Sequence, residues 1–446
     1  MWRISEYINR NTILEVGIFG LITTGIGMFF YRRYISSKDE IKEKEICYSF
    51  EQFKKEFSNN MDQLWVAMKN AVLSPNVQEA LNTIDEIIEN VKEVDKIDFK
   101  TPLFLLVALF YKVADFKEEF LNDISDLKSN EFFEAKKIGR YAVRIYSASL
   151  LVSKAVIAKI MDIERSSLIY VSWMDSAEDT HHPKFLIFET DDTVFLVIRG
   201  TFSVTDVFLD LVCSDRKVDK FEGYAHLGIY EGAQKVMEKS MPIISKSLES
   251  GNRKKLVLTG HSLGGGASEL ITMELIQQFE KEGKDDIDIK CIALAPPPVF
   301  RSDADIPHKI KNAIKIFINT SDIVPSLSLA TVALFISILR QLDNLNLTME
   351  NIFYILMGSK NEVTEKNVQN IKEVIQSANQ DSFPYLEHPG NIYYFSKTKD
   401  GTNRTFIKNQ VSEYFSRKIR LFDGMIVNHL HGNYEVAFDN VIHIEA

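Results

Sequence analysis

Gly260-His261-Ser262-Leu263-Gly264 places a serine between two glycines, after the apolar run Leu256 to Leu258 and before the small residues Gly265, Gly266 and Ala267. A strand-to-helix turn tight enough to expose a nucleophile leaves almost no room for side chains two residues before and after it. Gly260 and Gly264 meet that requirement. Ser262 then stands at a helix N-terminus, where backbone N–H groups favour a negative oxygen. The chemistry this arrangement prepares is acyl transfer through a serine ester.

A serine hydroxyl is a weak nucleophile and needs a base held by an acid, which follow an elbow serine in the order Asp, then His. Of the eleven aspartates after Ser262, Asp322 alone comes straight off an apolar strand, in AIKIFINTSDIVP. Asp285, Asp286 and Asp288 read as a solvated loop, and Asp343 follows a helix. Among His308, His388, His429, His431 and His443, the first precedes Asp322 and is out of order. His429, in MIVNHLHGNYEVAF, leaves an apolar segment and enters a helix, and His431 is the alternative two residues on. As a metal pair, His429 and His431 lack a further ligand at suitable spacing. No metal or organic cofactor is expected. The oxyanion needs two backbone donors. Leu263 supplies one, and Thr201, in the Arg199-Gly200-Thr201 loop after VFLVI, supplies the other, with Arg199 structural.

The elements that must position these residues follow from periodicity. From Ser167 onward, short apolar strands (LIYVSW, FLIFE, VFLVIRG) give way to a helix at 230–249, a strand at 255–260, a helix at 264–279 and strands at 289–295 and 313–319. Strand, helix, strand in this order argues for an α/β fold with a mostly parallel sheet. A single helix is expected from about 131 to 161, and residues 343–388, polar and Asn-rich, read as an irregular insertion or mobile cover. Ser328 to Leu342 is apolar and of helix length, fitting either core or an acyl groove.

Residues 39–130 show apolar positions three and four apart (Leu81, Ile84, Ile87, Ile88, Val91), the spacing of amphipathic helices. Pro102 to Tyr111 is too short an apolar run to span a bilayer, so core packing or an interfacial contact is expected. Ile13 to Tyr31 has Glu15 as its only charge and is followed by Arg32 and Arg33. It is long enough to cross ~30 Å of hydrocarbon and is expected to be one uncleaved membrane anchor. The slight excess of basic residues after it favours a single-pass protein with a cytosolic catalytic part. A net charge of −10 excludes an electrostatic nucleic-acid binder. Cys47, Cys213 and Cys291 are too few and scattered for a disulfide framework.

Together these pieces resemble the class 3 lipase family, which includes fungal triacylglycerol lipases and sn-1-specific diacylglycerol lipases. The resemblance rests on IRGTFSVTDVFLDL (198–211), AHLGIYEGA (225–233), LTGHSLGGGAS (258–268), ALAPPP (293–298), SDIVPSLS (321–328) and NHLHGNY (428–434). The PP after ALA, the RGT loop and Tyr434 five residues after His429 look more like the diacylglycerol lipase branch. Asn428 departs from the Asp that the family usually has there. The resemblance implies an α/β-hydrolase domain over 131–446, preceded by an anchor (1–38) and a helical region (39–130). It also implies Ser262, Asp322 and His429 as nucleophile, acid and base, Thr201 and Leu263 as oxyanion donors, and a glycerolipid substrate taken from a bilayer. Phospholipase A1 or monoacyl-lipid esterase activity is the nearest alternative. A catalytically silent membrane-tethered scaffold is the alternative of another class. No protein partner is implied.

Overall fold

The structure, a computed structural model, describes residues 78, 99–114, 127–174, 183–201, 215–250, 253–302, 304–378, 385–397, 405–410, 412–422 and 424–441. The expected anchor at 13–31 and most of the 39–130 region lie outside the described residues. Among the described residues, no helix is long and apolar enough to cross a membrane. Two units are distinguished. Met1–Gln78 with Asn346–Asn370 form one, and Glu79–Leu345 with Ile371–Ala446 form the other, which holds every residue considered for the site.

The larger unit is built on eight strands in the spatial order β1-β2-β3-β6-β7-β9-β10-β11. β1 (Leu168–Val171), β2 (Phe185–Glu189) and β3 (Thr193–Ile198) pair antiparallel. From β3 the sheet runs parallel through β6 (Lys255–His261), β7 (Asp288–Leu294), β9 (Ile314–Asn319) and β10 (Asn391–Lys397), and antiparallel β11 (Thr405–Gln410) closes the edge. The mostly parallel sheet expected from the sequence is present. Its middle strands read as unbroken apolar runs because both faces are covered.

One face carries Phe195, Val197, Val257, Leu294, Phe317 and Phe395, packed under α2 (Ser129–Ala148) and the later helix His431–Asp439. In place of one helix over 131–161 there are two, α2 and α3 (Lys154–Met161). Ser149 ends the first by turning its hydroxyl onto the Tyr146 carbonyl, 2.8 Å away, a side-chain bond that competes with the helix ladder. The opposite face meets α4 (Leu227–Ser250) and α5 (Leu263–Lys281). A small antiparallel sheet of β4 (Asp215–Val218), β5 (Gly223–His226) and β8 (Phe300–Ser302) leads into α4.

The apolar segment after Asp322 is α7 (Leu329–Asp343), counting the short α6 (His308–Ala313) before it. Ser328 and Thr331 cap it reciprocally, each side chain taking the other's N–H. It is buried over most of its circumference and packs on α1 (Leu103–Ala114), with Phe110 and Phe335 edge to face at 5.0 Å. Asp343 accepts the N–H groups of Lys100 and Thr101, both at 2.9 Å, at the start of α1. Core packing therefore describes both apolar segments.

The segment 343–388 is not irregular as expected. It contains α8 (Met349–Leu356), capped by Thr348 at 3.2 Å to the Asn351 N–H, and α9 (Glu362–Ser377), where Asn361 accepts from the Thr364 N–H at 2.8 Å.

Within the α5 face, Glu269 is fully buried and its carboxyl oxygens have no hydrogen-bond partner among the described residues. Burial pushes its pKa well above the ordinary 4.5. Facing it, the Cys291 thiol is also pushed up, by burial first and by the Glu269 charge second. A carboxyl whose pKa is raised on folding contributes stability that is complete below its unfolded pKa and lost as pH rises toward the folded one, by about 1.4 kcal/mol per unit. Glu269→Met, similar in volume and without a charge to desolvate, is therefore expected to gain stability over wild type progressively as pH rises from about 5 through neutrality. Urea midpoints measured across that range check this, and a difference constant with pH would mean that Glu269 is ionised in the fold.

Candidate active site

The reactive geometry begins at the end of β6. Ser262 sits at φ 59° and ψ −130°, a strained conformation of the kind that costs roughly 1–3 kcal/mol and persists only when its surroundings enforce it. They do so here: the Ser262 N–H donates to the Leu294 carbonyl at 2.8 Å, and its own carbonyl accepts from Gly266 at 3.1 Å. A Cβ on Gly260 would lie 2.3 Å from the Gly264 oxygen, and one on Gly264 would lie 2.4 Å from the Ile198 oxygen. Both glycines are thus required by close backbone approach, as the sequence pattern predicts.

Asp322 follows β9 by three residues, and His429 ends a short 3-10 turn, Val427–His429. Separated by 107 positions, they meet with His429 Nδ1 3.0 Å from both carboxylate oxygens. On the ring's other side, Nε2 lies 3.0 Å from Ser262 Oγ. All three side chains are buried. A carboxylate only accepts, so Nδ1 carries the ring proton and Nε2 is free to take one from the serine hydroxyl. Two further donors orient Asp322: the Tyr434 hydroxyl at 2.6 Å and the Val324 N–H at 3.0 Å. Tyr434 in turn accepts the Asn319 N–H at 2.9 Å, and burial followed by the Asp322 charge pushes its pKa well up.

Residues 195–332 match the lipase (class 3) family model. The class 3 lipase match runs from β3 through the elbow and Asp322 into α7, and His429 lies beyond it. The chain is 26% identical over 200 residues to diacylglycerol lipase-beta of Mus musculus, covering 43% of this chain and 28% of that protein. It is 35% identical over 83 residues to the chloroplastic phospholipase A1 PLIP1 of Arabidopsis thaliana, covering 18% and 13% respectively. It therefore spans less than a third of the length of these curated relatives. Among solved structures, the lipase from Rhizopus microsporus var. chinensis aligns at 15% identity and a TM-score of 0.41, over 70% of this chain and 88% of that one.

Around Ser262, Asp322 and His429 lies a second layer whose members the sequence does not single out. His261, beside the nucleophile, is fully buried, with Nε2 2.8 Å from the His429 carbonyl and Nδ1 3.0 Å from the Tyr146 hydroxyl. A carbonyl can only accept, so Nε2 carries the proton and Nδ1 accepts from Tyr146. Burial, and then the neighbouring His429 and His431, hold the His261 pKa well below its ordinary 6.5, so this strut stays neutral. The strut fixes the backbone of His429 from the elbow itself. A histidine next to the elbow serine is all that the sequence shows of it, and its role depends on distant partners. The α2 partner, Tyr146, gave no signal of its own.

His431, the alternative base, is not brought to Ser262. Its ring stacks on Tyr146 at 4.2 Å with planes 3° apart, at the start of the helix His431–Asp439. Asn428 joins the two loops: its amide donates to Ser321 Oγ at 2.8 Å, and its carbonyl accepts from the Asn319 side chain at 3.1 Å.

The Arg199-Gly200-Thr201 loop packs directly on the elbow. A Cβ on Gly200 would lie 2.4 Å from the His261 oxygen and 3.2 Å from Ser262 Cβ. Arg199 holds the loop from behind, through Nε to the Gly200 carbonyl and Nη1 to Ser149 Oγ, both at 3.0 Å. Leu263 is the first residue of α5, so its N–H has no partner four residues back in the helix. Thr201, the other expected donor, follows Gly200 immediately in this loop.

Proposed function

We propose that this chain is a serine-dependent hydrolase of glycerolipid acyl esters, with diacylglycerol as its substrate. The observation that carries the reading is the single imidazole of His429, held between the Asp322 carboxylate and the Ser262 hydroxyl. His429 takes the Ser262 proton as Oγ attacks the ester carbonyl, and the oxyanion is held by the N–H groups of Thr201 and Leu263. Collapse expels the glycerol-side alcohol, which takes the proton from His429. Water, deprotonated by the same ring, then releases the fatty acid and restores Ser262. The resemblance to diacylglycerol lipase-beta, the longer of the two curated alignments, supports diacylglycerol. The apolar stretch 13–31 supports a membrane-held enzyme, and the slight excess of basic residues after it supports a catalytic part in the cytosol. The resemblance to a phospholipase A1 favours a second reading, in which the same serine cleaves a phospholipid.

Fatty-acid release from tri-, di- and monoacylglycerols and from phosphatidylcholine in mixed micelles, with Ser262→Ala beside wild type, separates the two. Serine-dependent release from diacylglycerol at the sn-1 position is expected. Serine-dependent release from phosphatidylcholine alone moves the assignment to the phospholipase, and release that survives Ser262→Ala removes both readings.

A further inference from the structure

Several of the most exposed apolar side chains gather at one end of the larger unit. Leu150 is 70% exposed, Val152 79% and Val156 45%, all within seven residues, and Leu430, directly after His429, is 46% exposed. Leu150 follows α2 by two residues, and Tyr146, near the end of α2, stacks on His431 beside Leu430. Tyr146 also bonds His261, and Ser149 bonds Arg199 of the loop packed on the elbow, so the segment lies beside the end of β6 that carries Ser262.

An exposed segment that shows apolar side chains to water is unusual unless something holds it there, and this one is pinned. The Trp173 indole donates to the Leu151 carbonyl at 2.9 Å, Lys184 Nζ to the Ser149 carbonyl at 3.4 Å, and Arg199 to Ser149 Oγ at 3.0 Å. The N–H groups of Leu150 and Leu151 close turns onto Ser147 and Ala148. Every polar group of the segment named here faces the protein, while Leu150 and Val152 face outward. Arg199 belongs to the loop that packs on the elbow, so one guanidinium ties the segment to the site.

Charge singles out the same segment. In a chain with a net charge of −10, Ala135 to Met161 contain no Asp or Glu. The exposed part of α3 carries Lys154, Ala155, Val156 and Lys159. Among the described residues neither lysine forms an ion pair. A few apolar tips with unpaired lysines beside them are far too small for a stable protein interface, which takes about 800 Å² per partner. They suit an anionic lipid surface, where the tips pass below the head groups and the ammonium groups remain among them.

We propose that Leu150, Val152, Val156 and Leu430 form a fixed apolar lip that enters an anionic lipid surface and holds the Ser262 end of the sheet against it. The proposal rests on the lipid-ester reading above, and its test is independent of turnover. In the full chain with Cys47→Ser and Cys213→Ser, and with Cys291 buried, an environment-sensitive fluorophore is attached at Val152→Cys. A second preparation carries it at Lys281→Cys, at the far end of the sheet. Vesicles of phosphatidylcholine with phosphatidylserine are expected to shift the Val152 probe to the blue and leave the Lys281 probe unchanged. Lys154→Glu with Lys159→Glu is expected to weaken the shift about tenfold in lipid concentration on these vesicles and leave phosphatidylcholine vesicles unaffected. An unshifted Val152 probe overturns the lip, whether or not the protein floats with the vesicles.

As a second measurement, Leu150→Ser with Val152→Ser is expected to slow hydrolysis of vesicle-borne ester about tenfold or more while leaving a soluble short-chain ester unaffected. Equal loss on both esters overturns the lip as well. If ester hydrolysis survives Ser262→Ala, the functional reading fails while the probe result stands.

Discussion

Ser262→Ala and His429→Ala are each expected to lower kcat on a lipid ester by about 10⁶-fold, and the double variant is expected to be no slower than either single one. The reason lies in the 3.0 Å approach of His429 Nε2 to Ser262 Oγ. Without the hydroxyl the imidazole has no nucleophile to activate, and without the imidazole the hydroxyl stays protonated. Activity that remains should still exceed the reaction in water by about 10³-fold, because the oxyanion donors and the bound geometry survive both changes. KM should move little, since neither atom is needed to hold the acyl chain. The strained backbone at Ser262 is the same for alanine as for serine, so near-UV circular dichroism should match wild type and exclude a folding explanation. Losses that multiplied in the double variant would mean that the two residues act separately, and the proton-transfer mechanism would fail.

Legibility in the sequence followed how local each requirement was. The elbow was readable because steric demands on Gly260 and Gly264 are met within five residues, and Asp322 because it leaves a strand whose apolar run is continuous. His429 was separable from His431 only by its relation to a predicted helix, and the structure supplies the reason: His431 begins that helix and is held flat on Tyr146. The His261 strut was not legible, since it depends on a tyrosine 115 positions earlier and a carbonyl 168 positions later. β10 was also missed. It pairs with β9 across an excursion that contains α8 and α9, and nothing near Asn391 signals such a partner. In 343–388 the low helix propensity of asparagine outweighed local information that was present, because Thr348 and Asn361 are cap residues in the right places.

Asp322→Asn is expected to lower kcat by about 10⁴-fold at unchanged fold, and Tyr434→Phe by only about 10-fold. The carboxylate is met by three donors: His429 Nδ1–H, the Tyr434 hydroxyl and the Val324 N–H. An acceptor-only group satisfies all of them, whereas an amide must turn its own NH₂ toward at least one. Turned toward His429, the amide favours the ring tautomer with the proton on Nε2, which cannot accept from Ser262. Turned toward Tyr434, it meets an oxygen already accepting the Asn319 N–H, so this arrangement offers little relief. Removing the Tyr434 hydroxyl takes away one donor and leaves the charge, the Val324 bond and the tautomer intact, hence the smaller loss. Steady-state kinetics on one monomeric ester are sufficient to compare the two variants. If Asp322→Asn cost no more than Tyr434→Phe, the tautomer of His429 would be fixed by another group, and His261, through its hold on the His429 carbonyl, would become the residue that orients the base.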